Sequence, residues 1–115
     1  MTLPHNHGQE IEKHFEHMPK EESFHVVADV FKLLSDSNRV RIFWMLCHCE
    51  ECVINISALM EMSSPAVSHH LRLLKDNGLI TSRRDGKEVY YKAAETEQAE
   101  MLHQAIEKMA RITCI

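Results

Sequence analysis

Cys47, Cys49 and Cys52 stand at C-x-C-x2-C spacing between Met45 and Ile56, in a chain of 115 residues with four cysteines. Thiolates two and three residues apart can close on one thiophilic cation or on trigonal As(III), and cysteines serving only as small apolar core residues have no reason to crowd. Reversible thiol oxidation is the other chemistry open to such a cluster. Cys114 is a fourth candidate sulfur. Of the nine histidines, the four ahead of Lys20 (His5, His7, His14 and His17) and His48, between two of the thiols, read as solvated side chains.

The net charge of −4 argues against a general polyanion binder, but the charge is unevenly placed. Between Ser64 and Lys92 the chain carries Arg72, Lys75, Arg83, Arg84, Lys87 and Lys92 against only Asp76, Asp85 and Glu88, while the remainder is strongly acidic. One basic face within an acidic protein fits double-stranded DNA as partner. The longest apolar run, Ile42 to Cys47, is far below the roughly 20 residues of a membrane span. The N-terminal residues lack a basic start and an apolar stretch, so no secretory signal is expected and the cytoplasm is the expected location. In that reducing compartment crowded thiols serve metals or redox sensing rather than a structural disulfide. No Gly-rich phosphate loop and no nucleophile with a placed base is present, so neither an enzyme nor an organic cofactor is expected.

The elements that must position these groups follow from periodicity and capping. Residues 1–20 read as a polar, His-containing arm, and 21–115 as one domain. Phe24, Val27, Val30, Phe31 and Leu34 recur at helical steps. Ser35 to Asn38 offers caps for a second helix carrying Val40, Phe43, Trp44 and Leu46 and ending near the cysteines. A short third helix, from about Ile54 to Glu61, is predicted to bury Ile56, Leu59 and Met60. Ser63-Ser64-Pro65 starts a fourth, with Val67, Leu71 and Leu74 inward, and Asn77-Gly78 stops it. Leu79 to Ala93 reads as a hairpin turning at Asp85-Gly86. A last helix from about Glu95 presents Leu102, Ala105, Ile106, Met109 and Ile112 on one side.

The fold class expected is therefore mainly α with a small β-hairpin, a winged helix-turn-helix whose fourth helix enters the major groove. Ser64, Ser68, His69 and Arg72 lie on its solvent side, where hydroxyls can meet phosphates or base edges and Arg72 can grip guanine bidentately. Arg83, Arg84 and Lys87, on the hairpin, are expected on backbone phosphates.

With these motifs in place, the chain resembles the ArsR/SmtB family of metal-sensing transcriptional repressors. The matching residues are L-L-S-D-S-N-R-V-R-I from Leu33 to Ile42, S-S-P-A-V-S-H-H-L-R-L-L-K-D-N-G-L-I from Ser63 to Ile80, and R-R-D-G-K-E-V-Y-Y from Arg83 to Tyr91. The resemblance covers about residues 24 to 112. It implies a homodimer joined through its first and last helices, reading an inverted-repeat operator and releasing it when metal binds. Many members carry E-L-C-V-C-D-L where this chain has Glu50-Glu51-Cys52-Val53-Ile54-Asn55-Ile56, so only Cys52 of that motif is kept and the sensor is expected just upstream. Positions that supply ligands in last-helix sensors correspond to Glu95, Glu97, Lys108 and Arg111; two cations cannot be ligands, so that site is expected to be absent. Cys47, Cys49 and Cys52, with Cys114, are thus the expected ligands for Cd, Zn, Pb or As(III) as effector. The alternatives are a redox- or sulfide-responsive repressor of the same fold and a small metal-binding protein that does not touch DNA.

Overall fold

Capping chemistry sets the helix boundaries. In the computed structural model, which describes residues 3–113, Asp36 is extended and its carboxylate accepts the Arg39 backbone N–H at 3.0 Å, which starts α3 (Ser37–His48). Ser63 does the same for α5 (Ser64–Asp76): its Oγ accepts the Ala66 N–H at 3.3 Å, with Pro65 in the first turn. Asn77 caps the end of α5, and Gly78 then takes φ +77°, a conformation that a Cβ would strain. Ahead of α5 lies α4 (Val53–Met60), whose C-cap is Glu61 at φ 54°. The N–H groups of Glu61 and Met62 turn back to the carbonyls of Ala58 and Ser57 at 3.3 and 3.0 Å, closing the tight turn between α4 and α5.

The hairpin consists of β2 (Ile80–Asp85) and β3 (Glu88–Ala93), antiparallel from Ile80↔Ala93 to Asp85↔Glu88. Its loop is therefore Gly86-Lys87, one residue later than the Asp85-Gly86 turn expected. Gly86 has φ +63° and Lys87 does not share that sign, the pattern of a II′ turn with glycine first. A two-residue strand that no local pattern announces, β1 (Glu51–Cys52), pairs with β3 at Glu51↔Tyr91 and Cys52↔Tyr90, so the sheet order is β1-β3-β2.

The core gathers Ile42, Phe43 and Leu46 of α3, Ile56 of α4, Val67, Leu71 and Leu74 of α5, then Leu79 and Ile80, each no more than 2% exposed. Ala99 of α6 (Glu97–Thr113) joins it, with Leu102 and Ile106 packed partly buried against it. Leu59, expected inside, is 63% exposed, because the inward side of α4 is already supplied by Ile56 and Met60. The chain divides into two compact units, Met1–Phe31 and Lys32–Ile115. The first contains α1 (Ile11–Glu16), which buries no residue, and most of α2 (Glu21–Leu33). No helix among the described residues is long and apolar enough to cross a membrane.

Among the described residues, one polar side chain is buried in this core. His70 of α5 is 8% exposed; its Nδ1 lies 3.4 Å from an Arg39 guanidinium nitrogen and its Nε2 3.9 Å from the Asp36 carboxylate. Arg39 is itself anchored by donating Nε–H to the Leu33 carbonyl at 2.6 Å. Burial pushes the His70 pKa down, opposed by Asp36 and reinforced by Arg39 and His69. The unfolded chain therefore takes up a proton below about pH 6.5 that the folded chain refuses. Stability is expected to fall as pH drops through that value, by at most about 1.4 kcal/mol per pH unit, and to level off below the folded pKa. His70→Gln should flatten the fall of the urea midpoint as pH drops below about 6.5; an unchanged slope would remove His70 as its source.

Candidate functional site

α4, its turn and α5 form a helix-turn-helix whose second helix presents Ser64, Ser68, His69 and Arg72 to solvent, opposite the buried Val67, Leu71 and Leu74. Two contacts fix this face to its surroundings. Ser64 Oγ lies 3.2 Å from Ser57 Oγ of α4, and Lys75 Nζ donates to Ser82 Oγ of β2 at 2.7 Å. Arg84 and Lys87 are exposed on the hairpin. Arg83 is engaged otherwise: it donates Nε–H and a terminal N–H to the two Glu50 carboxylate oxygens at 2.9 and 2.7 Å and lies 4.9 Å from the Tyr90 ring centroid. That forked pair lowers the Glu50 pKa and raises the Arg83 pKa, the hydrogen bond being the largest cause in both.

The three described cysteines occupy different environments. Cys47, in the last turn of α3, is half-buried; burial first and the Glu107 carboxylate second push its thiol up to about 11. Cys49 is exposed, donates S–H to the Met45 carbonyl at 3.3 Å, and is pushed up by burial and by Glu51. Cys52 is buried and forms half of β1. An open cleft of about 670 Å³ is lined by Cys47 and Cys49 together with Glu50, Glu97, Glu100 and His103; Cys52 does not line it. Cys114 lies outside the described residues.

The cysteine segment is thus tied to the hairpin. Cys52 sits opposite Tyr90 on β3, and Glu50, between Cys49 and β1, holds Arg83 on β2. Neither link is visible from the local sequence pattern around the cysteines.

Among the described residues, the one group of three or more His, Cys, Asp or Glu with ligand atoms all within 4.8 Å of one another is His48, His103 and Glu107. Reading the residues one at a time missed it. The signal present was His103 and Glu107 four apart on one helix face, with His48 in the last turn of another helix.

Residues 36–82 match the sequence profile described as bacterial regulatory protein, arsR family. The chain is 41% identical over 80 residues to the cadmium resistance transcriptional regulatory protein CadC homolog of Staphylococcus aureus, covering 69% of this chain and 66% of that protein. It is 36% identical over 69 residues to the arsenical resistance operon repressor of the same organism, covering 60% and 66%. A crystal structure of a possible transcriptional regulatory protein (fragment 1-100) from Mycobacterium bovis is 30% identical, with 81% and 99% covered and a TM-score of 0.68. The chain belongs to the ArsR family. A solution structure from M. bovis, of the homodimeric winged helix-turn-helix DNA-binding domain of a possible ArsR-family regulator, superposes with a TM-score of 0.71 at 28% identity, covering 84% and 90%. The chain spans just under two thirds of the length of the two curated proteins.

Proposed function

We infer that this ArsR-family protein is a transcriptional repressor that binds an inverted-repeat DNA operator as a homodimer and releases it when a thiophilic metal or metalloid binds. The observation that carries the DNA half is the exposed polar face of α5, bracketed by the buried Val67, Leu71 and Leu74 and flanked by a hairpin bearing Arg84 and Lys87. Ser64, Ser68, His69 and Arg72 read bases or position phosphates, and Arg84 and Lys87 hold the backbone. Arg83 serves first to hold Glu50 and reaches phosphate only by exchanging that partner. Exposed apolar side chains on α2 (Phe24, Val27 and Phe31) and on α6 (Met101, Met109 and Ile112) support a dimer in which a second copy covers them. Residues 1–20 act as a polar arm, and the protein works in the cytoplasm where its operator is.

The effector half rests on donor chemistry. Thiolates of Cys47, Cys49 and Cys52, with Cys114, suit Cd(II), Pb(II), Zn(II) or As(III), and the cadmium and arsenical relatives support that class. Cys47 and Cys49 share one cleft; drawing the buried Cys52 toward them pulls on β1 and hence on β3 and the wing.

Fluorescence anisotropy with an operator selected from random duplexes tests the DNA reading. Arg72→Ala is expected to weaken binding by about 1–3 kcal/mol and relax the base preference at one position per half-site. Lys87→Ala should weaken all duplexes alike and lower the salt slope by about one. Equal affinity of both variants and the parent for every duplex would remove α5 and the hairpin as the interface.

A further inference from the structure

Outside the thiol cluster, three lone-pair atoms from two helices converge on one point. His103 Nε2 lies 2.8 Å from Glu107 Oε1, His48 Nε2 lies 3.2 Å from the same oxygen, and the two imidazole nitrogens are 3.0 Å apart. Both rings use Oε1 and face each other as well, and the Trp44 indole is a further hydrogen-bond partner of the Glu107 carboxylate. Around a tetrahedral zinc with bonds of 2.0–2.1 Å, neighbouring ligand atoms are about 3.3–3.4 Å apart. The edges of the observed triangle, 2.8, 3.0 and 3.2 Å, are therefore shorter than that figure by between about 0.1 and 0.6 Å.

The surroundings hold the triangle in place. His103 and Glu107 are four residues apart on α6, so they share a face, and His48 is set by the end of α3. Trp44, one turn before His48 and the chain's single tryptophan, packs on the His48 ring at 4.3 Å, while the His103 ring meets it edge-on at 84°. Side-chain exposures of 43% for His48, 25% for His103 and 42% for Glu107 leave the point reachable from solvent, with room for a fourth ligand.

We propose that His48, His103 and Glu107 form a second metal site, distinct from the thiol cluster, which takes one borderline divalent cation of the zinc class and ties α6 to the end of α3. Two imidazoles and a carboxylate favour zinc, nickel or cobalt over the soft ions that thiolates select. All three ligands come from one chain, and none is among Glu95, Glu97, Lys108 and Arg111. The site needs no cysteine and no DNA, so it stands whether or not the thiol reading does.

Co(II) is the probe. The full chain with Cys47, Cys49, Cys52 and Cys114 each replaced by Ser is titrated with Co(II) while visible absorbance and Trp44 fluorescence are followed. One equivalent is expected to bind, with a d–d band, no sulfur-to-cobalt charge transfer, and quenching of Trp44. His103→Gln and Glu107→Gln in that background should each weaken binding more than tenfold; far-UV circular dichroism identifies any variant that fails to fold, and the other then decides. Zn(II) should raise the melting temperature of the cysteine-free chain but not that of the glutamine variants. Absence of Co(II) uptake, uptake without quenching of Trp44, or equal affinity after the glutamine substitutions overturns the site. Failure of the thiol reading, by contrast, would show only in the chain that retains its cysteines.

Discussion

Cd(II) added to the reduced protein on its operator is expected to weaken the complex roughly 5- to 150-fold, the usual range of allosteric coupling, and Cys52→Ser to remove most of that drop. The asymmetry arises from where Cys52 sits. It is one of the two residues of β1, paired across to Tyr90, so its backbone holds the wing strand whether the side chain ends in sulfur or oxygen. The metal-free affinity should therefore survive the substitution within a few-fold. The sulfur itself is buried, whereas Cys49 is exposed and Cys47 half-buried on the open cleft. Gathering all three on one ion requires β1 to shift, and β1 cannot shift without disturbing β3 or the Glu50–Arg83 pair beside it. Cys49→Ser should blunt release less, since Cys49 lies outside the strand. Anisotropy titrations of operator release against Cd(II), run on all three proteins, measure this; full release from the Cys52→Ser variant would disconnect the thiols from the wing.

The parts of this molecule that were legible in the sequence are those whose causes are local. Ser63 with Pro65 announces the start of α5, and Asn77-Gly78 its end, because caps and left-handed glycines act within four residues of themselves. The inward stripe Val67, Leu71, Leu74 fixes which side of α5 is free to face a groove. The hairpin was legible, while its loop fell one residue later, since Gly86 satisfies either a turn in which it comes second or the II′ turn it adopts at the first position.

What was not legible depends on partners distant in sequence. β1 is a strand only because β3 lies beside it, and two residues carry no alternation to detect. Glu50 reads as one acid among many until Arg83, 33 residues on, closes on it. His48 lies 55 residues from His103 and 59 from Glu107, so weighing each histidine by itself gave a solvated side chain. His70 escaped for a related reason: beside His69 on an amphipathic helix it looks like surface, whereas Arg39 and Asp36 give a buried imidazole the polar partners it needs. The thiol cluster was the converse case, since its spacing is plain in sequence but the fold separates an exposed, a half-buried and a buried sulfur.

Phe43→Ala is expected to cost about 3–5 kcal/mol of folding stability, a large share of the roughly 5–15 kcal/mol that holds a domain of this size together. Phe43 is fully buried on α3, in the cluster with Leu46, Leu71, Leu74 and Ile80, so removing its ring leaves a cavity that α3, α5 and β2 would have to close. α3 packs against α5, proposed to enter the groove, and against β3, which holds the hairpin strand β2, and it carries Cys47 and His48 at its far end. The same ring thus sets the spacing between the reading helix and both candidate metal sites. Phe43→Leu, which keeps most of the apolar volume, should lose far less. Urea unfolding should show the midpoint falling in the order parent, Leu, Ala with an unchanged slope. Operator affinity of the Ala variant should then recover in a stabilising osmolyte in proportion to the folded fraction. A loss below about 1 kcal/mol would mean that the cavity collapses and that α3 is free to move against α5, and a rigid transmission from the thiols to the reading helix would be lost with it.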